Sequence, residues 1–124
     1  MASPAKDRIT CHVLDTSKGR PAKGIRVYLS TTTATASGPG TLREFESLTD
    51  DDGRVPVYTL EDVLGAAPGP SSRWTLRFDT AAYFGGDDET FFPEAVVVFT
   101  VREGQHYHVP LLLSPYSYTT YRGS

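Results

Sequence analysis

Short runs of alternating apolar and polar residues dominate the chain, and helical periodicity is scarce. In the run RITCHVLD, every second residue from Ile9 to Val13 is apolar, which is the pattern of a half-buried strand. Because successive side chains of a strand point to opposite faces, Thr10 and His12 share the other face. The run GIRVYLS repeats this pattern and predicts a second strand.

The remaining elements are predicted from the same two-residue alternation of apolar and polar positions. Further strands are predicted in LREFESLT, RVPVYTL, RWTLRFDT, EAVVVFTV, GQHYHVPLLLS and YSYTTYRGS. EAVVVFTV is continuously apolar, which is typical of a strand covered on both faces. AAYFGG is predicted to hold one short helix that ends at Gly85 and Gly86. About eight strands with at most one short helix predict an all-β fold, an antiparallel two-sheet β-sandwich.

Length and cysteine content limit the architecture. The chain has 124 residues and a mass of 13.6 kDa, which is room for one domain, predicted over residues 9–124 after a flexible segment at 1–8. The single cysteine, Cys11, excludes an internal disulfide, and its position between apolar neighbours favours a small buried side chain. The N-terminal sequence lacks the apolar stretch of a secretory signal, and no run approaches the roughly 18 apolar residues of a membrane span. We therefore expect an intracellular protein with no membrane partner.

Charge argues against a nucleic-acid partner. Twelve Lys and Arg residues against fifteen Asp and Glu residues give a formal net charge of −3, and no basic cluster stands out. Nucleic-acid binding depends on a basic surface that neutralises phosphates. We therefore expect no nucleic-acid partner.

The three histidines are the first candidates for chemistry. His106 and His108 are two residues apart on a predicted strand and so share a face, while His12 lies on a distant strand. Each histidine taken alone is best interpreted as structural or merely exposed. Together they allow a three-histidine zinc site with an open water position, although no carboxylate lies beside QHYHVP to support a ligand.

Two other catalytic schemes can be weighed from the residues. Nucleophilic catalysis is disfavoured because no G-x-S-x-G elbow is present and Cys11 is predicted to be buried. Metal-free hydrolysis needs imidazoles to handle the protons of water and a cation to stabilise an oxyanion. Arg54, after the turn DDDG, and Arg122, near the C-terminus, are the candidate cations. By spacing alone, Arg54 is best interpreted as a solvated turn residue, whereas the Tyr-Arg pair at the terminus is unusual for a frayed tail.

The motifs together resemble a known family. CHVLDTSKGRPAKGIRVYL, TDDDGR, FFPE and HYHVPLLLSPYSYTTYRGS occur in this order and are similar to the 5-hydroxyisourate hydrolases, the transthyretin-like enzymes of urate breakdown. The resemblance runs from about Ile9 to Ser124, and the terminal Tyr-Arg-Gly-Ser is its most specific part. True transthyretin is similar along VLD, PA and LLSPYSY, but is not expected to keep the histidines, the arginine and this tetrad.

The resemblance implies a fold, an assembly and a reaction. The fold is a transthyretin-like two-sheet β-sandwich of eight strands with one short helix. The assembly is a homotetramer, a dimer of dimers joined through edge strands, with active sites in clefts where two dimers meet. The reaction is hydrolysis of a ring amide of 5-hydroxyisourate, a small-molecule substrate, to 2-oxo-4-hydroxy-4-carboxy-5-ureidoimidazoline, with no cofactor and no metal. The compartment implied is cytoplasmic or peroxisomal.

The family's functional residues fall on particular positions of this sequence. The catalytic set implied is His12, Arg54, His108 and Ser124. The implied substrate-binding set adds the rest of the terminal tetrad to His12, Arg54 and Ser124, namely Tyr121, Arg122 and Gly123. His106 lies within the resemblance but is given no catalytic role. By resemblance, the tetrad forms the floor of the interface cleft and meets its symmetry-related copy there.

Two rival functions remain at this stage. A transthyretin-like carrier of a flat aromatic molecule would use the same channel, but it has no need of an acid–base pair beside an arginine. A purely structural β-sandwich would be a monomer without catalysis. We expect an acid–base mechanism in which His12 and His108 share the proton transfers and Arg54 stabilises the oxyanion.

Overall fold

The structure is a computed structural model, and it describes residues 8–32, 42–55, 58–59, 71–102 and 105–123. The described residues form nine strands, one α-helix and one 3₁₀ turn. They are β1 (Arg8–Asp15), β2 (Arg20–Pro21), β3 (Arg26–Thr32), β4 (Leu42–Leu48), β5 (Tyr58–Thr59), β6 (Ser71–Phe78), α1 (Thr80–Phe84), the 3₁₀ turn (Asp87–Glu89), β7 (Ala95–Arg102), β8 (Tyr107–Ser114) and β9 (Ser117–Thr120). The predicted N-terminal segment lies outside the described residues up to position 7, and Arg8 begins β1.

Two sheets make up the fold. The five-stranded sheet has the order β2-β1-β8-β9, with β5 also paired to β1, and the four-stranded sheet has the order β4-β3-β6-β7. The prediction of an all-β two-sheet sandwich with one short helix is therefore confirmed. Nine strands are seen against the expected eight or so because the two-residue β2 lies in a segment with no predicted strand, whereas the equally short β5 falls within the predicted run RVPVYTL.

The core lies between the sheets and is built by the alternation read from the sequence. On β1, Ile9, Cys11 and Val13 are at most 1% exposed. Burial of large apolar side chains such as these contributes roughly 1.5–3 kcal/mol for each residue. On β6, Trp74 is fully buried, and its indole N–H donates to the Ser72 hydroxyl at 2.7 Å, which satisfies the polar atom that this large residue carries inside.

The pairing of β1 with β8 differs from the expected antiparallel sandwich. These two strands are parallel, in a register that sets Thr10 beside His108 and His12 beside Pro110. The other pairings in the two sheets are antiparallel. A parallel pair needs a long crossover, and here most of the chain lies between the two strands. Alternation within each run cannot reveal this direction.

The expectation that β7 is covered on both faces is wrong for the isolated chain. The strand lies at the edge of the four-stranded sheet, where Val96 is 43% exposed and Val98 is 56% exposed. Its inward side packs on the core through Ala95 and Val101, which are fully buried. The apolar residues on both sides of β7 therefore leave an apolar edge strand on the surface of a single chain.

The predicted helix is confirmed as α1. The Asp79 carboxylate caps its first turn by accepting from the Ala82 N–H at 3.3 Å. Gly85 ends it in the left-handed conformation, with φ of 106°, and donates its N–H to the Ala81 carbonyl. None of the described helices is long and apolar enough to cross a membrane.

A buried carboxylate ties this helix to β1. Asp15 is fully buried and accepts hydrogen bonds from the Ser17 hydroxyl and from the Tyr83 hydroxyl, the latter at 2.6 Å. Burial alone would raise the pKa of Asp15, but these bonds, together with those from the backbone N–H groups of Ser17 and Lys18, lower it. Asp15 thus fixes the C-terminal end of β1 from the inner side of the sheet, whereas His12 projects from the outer face.

Candidate active site

The outer face of the five-stranded sheet carries both histidines of the predicted catalytic pair. Thr10 lies beside His108 in the parallel ladder, so His12, two residues further along β1, projects from the same face as His108. The imidazole centroids of His12 and His108 are 6.5 Å apart, with the rings tilted by 35°. Both side chains are half-buried. The sheet therefore brings together two histidines that are 96 positions apart in the sequence.

A tight turn brings Arg54 to the same place. The Asp50 carboxylate accepts from the backbone N–H groups of Asp52 at 2.9 Å and Arg54 at 3.0 Å. The backbone of Arg54 then forms an antiparallel bridge with His12. This network holds residues 50–54 as one unit at the edge of β1 and places the Arg54 backbone beside His12, with the Arg54 side chain exposed.

Gly53 lets this turn approach β1 closely. Its carbonyl accepts from the Val13 N–H at 2.8 Å, and its φ of +76° lies in the left-handed region. A Cβ at this position would stand 2.3 Å from the Val13 carbonyl oxygen. Glycine is therefore the residue that permits the contact on which the position of Arg54 depends.

The imidazole of His108 has a hydrogen-bond partner, and its pKa is affected by burial and by neighbouring charges. Its Nδ1 lies 2.7 Å from the Thr10 hydroxyl. Burial lowers the pKa of His108, and the positive charge of Arg54 and the neighbouring rings of His12 and His106 lower it further. The ring is therefore predominantly neutral at pH 7 and able to accept a proton.

The C-terminal segment closes against His108. Gly123 forms an antiparallel bridge with His108 and donates its N–H to the His108 carbonyl at 2.8 Å. A Cβ on Gly123 would lie 2.7 Å from Cδ2 of the His108 ring, so the backbone of Gly123 packs directly against this ring and leaves no room for a side chain. The Thr120 hydroxyl anchors the same segment by donating to the Pro110 carbonyl at 2.7 Å. Ser124 lies outside the described residues, and its predicted role stays a prediction.

Tyr121 and Arg122 lie at a neighbouring cleft. The Arg122 guanidinium stacks 4.6 Å from the centroid of the Tyr107 ring and donates to the Gln105 side chain at 3.1 Å. Both residues line a cleft of about 440 Å³ that also reaches His108 but is not lined by His12 or Arg54. Of the seven predicted site residues, the structure therefore gathers His12, Arg54, His108 and Gly123 and places Tyr121 and Arg122 alongside.

The other chemical alternatives find little support in the structure. No three or more His, Cys, Asp or Glu side chains gather into a possible metal site within the described residues, which gives the zinc alternative no ligand set there. Burial raises the pKa of the Cys11 thiol to about 12, so it has almost no thiolate at neutral pH. His106 is half-buried, and its Nδ1 has no hydrogen-bond partner among the described residues.

Thr10 is a residue of this face for which the sequence alone predicts no functional role. Its spacing from His12 predicts a shared face, but its contact with His108 depends on the direction and register of β8. A threonine in a strand is ordinarily interpreted as a good β-former. No signal within β1 alone distinguishes the two interpretations.

The sequence profile of the HIUase/Transthyretin family matches residues 9–123. The chain belongs to this family. A mouse 5-hydroxyisourate hydrolase is 45% identical over 94% of this chain and 94% of its own length. An Arabidopsis thaliana uric acid degradation bifunctional protein is 43% identical over 98% of this chain, which spans 39% of that protein.

Solved structures show the same fold for two kinds of family member. A 5-hydroxyisourate hydrolase of Klebsiella pneumoniae is 31% identical, with a TM-score of 0.69 and coverage of 95% of this chain and 94% of that chain. The transthyretin of Sparus aurata is 32% identical, with a TM-score of 0.73 and coverage of 93% and 95%. Because this chain is about equally similar to both structures, the fold does not distinguish a hydrolase from a transthyretin. The distinction depends on the residues of the site.

Proposed function

We propose that this protein hydrolyses 5-hydroxyisourate to 2-oxo-4-hydroxy-4-carboxy-5-ureidoimidazoline in urate degradation. The observation that carries the proposal is the convergence of the half-buried His12 and His108 with the exposed Arg54 at one face of the sheet. The hydrolase relatives, which match nearly the whole chain at up to 45% identity, support the same substrate. A site of this composition suits a flat heterocycle that is rich in carbonyl groups.

The proposed reaction needs only water and these side chains. A neutral imidazole removes a proton from water as the water oxygen bonds to the amide carbonyl carbon of the six-membered ring. The Arg54 guanidinium stabilises the negative charge that develops on the carbonyl oxygen. The C–N bond then breaks as the imidazolium returns its proton to the departing ring nitrogen. The products of this step are the new carboxyl group and the ring-opened N–H.

His108 and His12 share these transfers in the proposal. The lowered pKa of His108 keeps it neutral and suited to be the base. His12 is bridged through its backbone to Arg54, and its ring lies beside that of His108. At a centroid separation of 6.5 Å, one small heterocycle can contact both rings. Tyr121, Arg122, Gly123 and Ser124 are proposed to line the substrate pocket.

We further propose that the protein is a homotetramer, a dimer of dimers. Strands β7 and β9 each lie at an end of their sheet and have an unpaired edge among the described strands. Val98 on β7, Tyr116 beside β9 and Tyr121 are more than half exposed in the single chain, which suits contacts with further copies. Sedimentation analysis should give four times 13.6 kDa, and a stable monomer would contradict the assembly.

Carrier function is the second candidate, because the structural similarity to Sparus aurata transthyretin is as high as that to the Klebsiella pneumoniae hydrolase. A carrier binds its ligand without acid–base chemistry. The two functions therefore predict opposite effects on the decay of 5-hydroxyisourate in freshly oxidised urate. The hydrolase accelerates the decay of the ultraviolet absorbance of 5-hydroxyisourate, whereas a carrier slows it. Dialysis against a chelator before the assay should leave the rate unchanged, and loss of activity restored by zinc would overturn the metal-free scheme.

Cellular location is a separate proposal. We propose that the protein resides in the cytoplasm or in peroxisomes, as the family resemblance suggests, and imaging of the tagged full chain tests this.

A further inference from the structure

We propose that Thr10 is a positioning residue that holds His108 as the Nδ1–H tautomer, with the lone pair of Nε2 turned away from β1 and free for water. This inference rests on the proposed hydrolysis, and it names how the base of that reaction is prepared. It concerns a residue that touches the imidazole and not the reacting atoms.

Strand register places Thr10 where it can do this. Thr10 is the direct neighbour of His108 in the parallel ladder, and both project from the outer face of the sheet. The resulting separation between the Thr10 hydroxyl oxygen and His108 Nδ1 is 2.7 Å, a full hydrogen bond. Threonine suits the position because its branched side chain has few rotamers in a strand, so the hydroxyl is held in place.

A second, longer contact of the hydroxyl favours one direction of the bond. The Thr10 oxygen also lies 3.5 Å from the Tyr107 carbonyl, which can only accept. A hydroxyl has one proton, so both contacts are satisfied only if that proton goes to the carbonyl and the oxygen accepts from Nδ1–H. The opposite direction gives the proton to Nδ1 and leaves the contact with Tyr107 without a donor.

This tautomer is the one that a general base at Nε2 requires. With the proton on Nδ1, the Nε2 lone pair is available to water, and the ring is fixed through its far side. When Nε2 gains a proton, Nδ1–H still donates to Thr10, so the hydroxyl keeps one orientation in both protonation states. Proton transfer then requires no rearrangement on the β1 side of the ring.

Nitrogen-15 NMR of the full chain at pH 8 tests the tautomer without reference to activity. His12→Gln and His106→Gln variants identify the His108 signals. We expect a pyrrole-type Nδ1 and a pyridine-type Nε2 in the wild-type protein and a shift toward the reverse pattern in Thr10→Val. A pyrrole-type Nε2 in the wild type, or an unchanged pattern in Thr10→Val, would overturn the proposal.

Kinetics test what the tautomer contributes. Partners that orient a functional imidazole are worth about 10- to 100-fold in activity at metal sites, so we expect kcat of Thr10→Val to fall about tenfold with little change in KM. Thr10→Ser keeps the hydroxyl and should recover most of the rate. The matched control is Thr75→Val, at a half-buried position on the outer face of the other sheet.

The outcomes separate this inference from the proposed function. A wild-type rate in Thr10→Val, with the protein folded and hydrolysing substrate, would overturn the positioning role and leave the hydrolase intact. If the wild-type protein does not hydrolyse 5-hydroxyisourate, the proposed function fails, while NMR still decides whether Thr10 sets the tautomer.

Discussion

The two sheets cover the same core but present different chemistry to the outside. On the four-stranded sheet, Arg26 pairs with Glu46, and Arg77 lies 3.6 Å from Glu94. The Arg77 guanidinium also stacks over the Tyr28 ring, 4.1 Å from its centroid. Arg26 and Arg77 of this face therefore have carboxylate or aromatic partners, as on an ordinary solvated surface.

The outer face of the five-stranded sheet is arranged in the opposite way. It brings His12, His108 and Arg54 together, and their charges act on each other: Arg54 and His12 both lower the pKa of His108. Among the described residues, the structure shows no ion pair between Arg54 and a carboxylate. Grouping unpaired cationic and titratable groups costs stability, and such local violations are expected at functional sites.

The largest effect is expected from removing an imidazole of the five-stranded sheet. General acid–base catalysis is typically worth 10²–10⁴-fold, so His108→Ala and His12→Ala should each lower kcat by about that much. Thr75→Ala, on the other outer face, should leave the rate unchanged. Urate-coupled absorbance decay measures each rate, and wild-type turnover in both histidine variants would refute the mechanism.

Replacing arginine by lysine on each face should give the next largest contrast. Arg54→Lys keeps the charge but loses the planar pair of donors, and we expect turnover to fall about 10- to 100-fold. Arg26→Lys makes the same change in an exposed ion pair and should leave turnover unaltered. Steady-state kinetics of both variants make the comparison. Equal rates would return Arg54 to the status of a solvated turn residue.

The contrast also shows what the sequence can predict. Alternation within β1 is local, so it correctly placed Thr10 and His12 on the outward face and Ile9 in the core. The contact between Thr10 and His108 is not local, because it needs the parallel pairing of β1 with β8. The two histidines could be grouped beforehand only through the resemblance to a known family.

Arg54 and β7 are two further cases in which local sequence patterns do not predict long-range contacts. The sequence predicts the turn around Gly53, but it does not predict that this turn docks on β1 through Val13. This docking brings the Arg54 backbone beside His12 in the candidate site. The apolar run of β7 predicted coverage on both faces, yet Val98 is exposed in the single chain. Alternation records which surfaces are apolar and does not say whether the same chain covers them.

The charge of Arg54 should also affect the pH dependence of catalysis. Because burial and the Arg54 charge lower the pKa of His108, the neutral base persists below pH 6.5. The acid limb of kcat/KM should therefore have its midpoint below about 6.5, with activity lost as the pH falls through it. In Arg54→Gln one positive charge is removed, so the midpoint should rise toward the ordinary value.

The charged groups that act on His108 are Arg54, His12 and His106. His106→Gln serves as the control, because it removes a group that is given no catalytic role. Its rate at the optimum should be unchanged, with at most a small rise of the midpoint. A wild-type midpoint above 6.5, or a fall of the midpoint in Arg54→Gln, would contradict the assignment of His108 as the base.

The smallest effect is expected on the four-stranded sheet. Arg77 and Glu94 are 39% and 49% exposed, so solvent screens their ion pair, and Glu94→Gln should change the free energy of unfolding by less than about 0.5 kcal/mol. Arg77→Ala should cost more, by about 0.5–1 kcal/mol, because it also removes the stack on Tyr28. Urea denaturation gives both values. A Glu94→Gln effect above 1 kcal/mol, or slower turnover in either variant, would show that this outer face is not the electrostatically ordinary surface from which the histidine face differs.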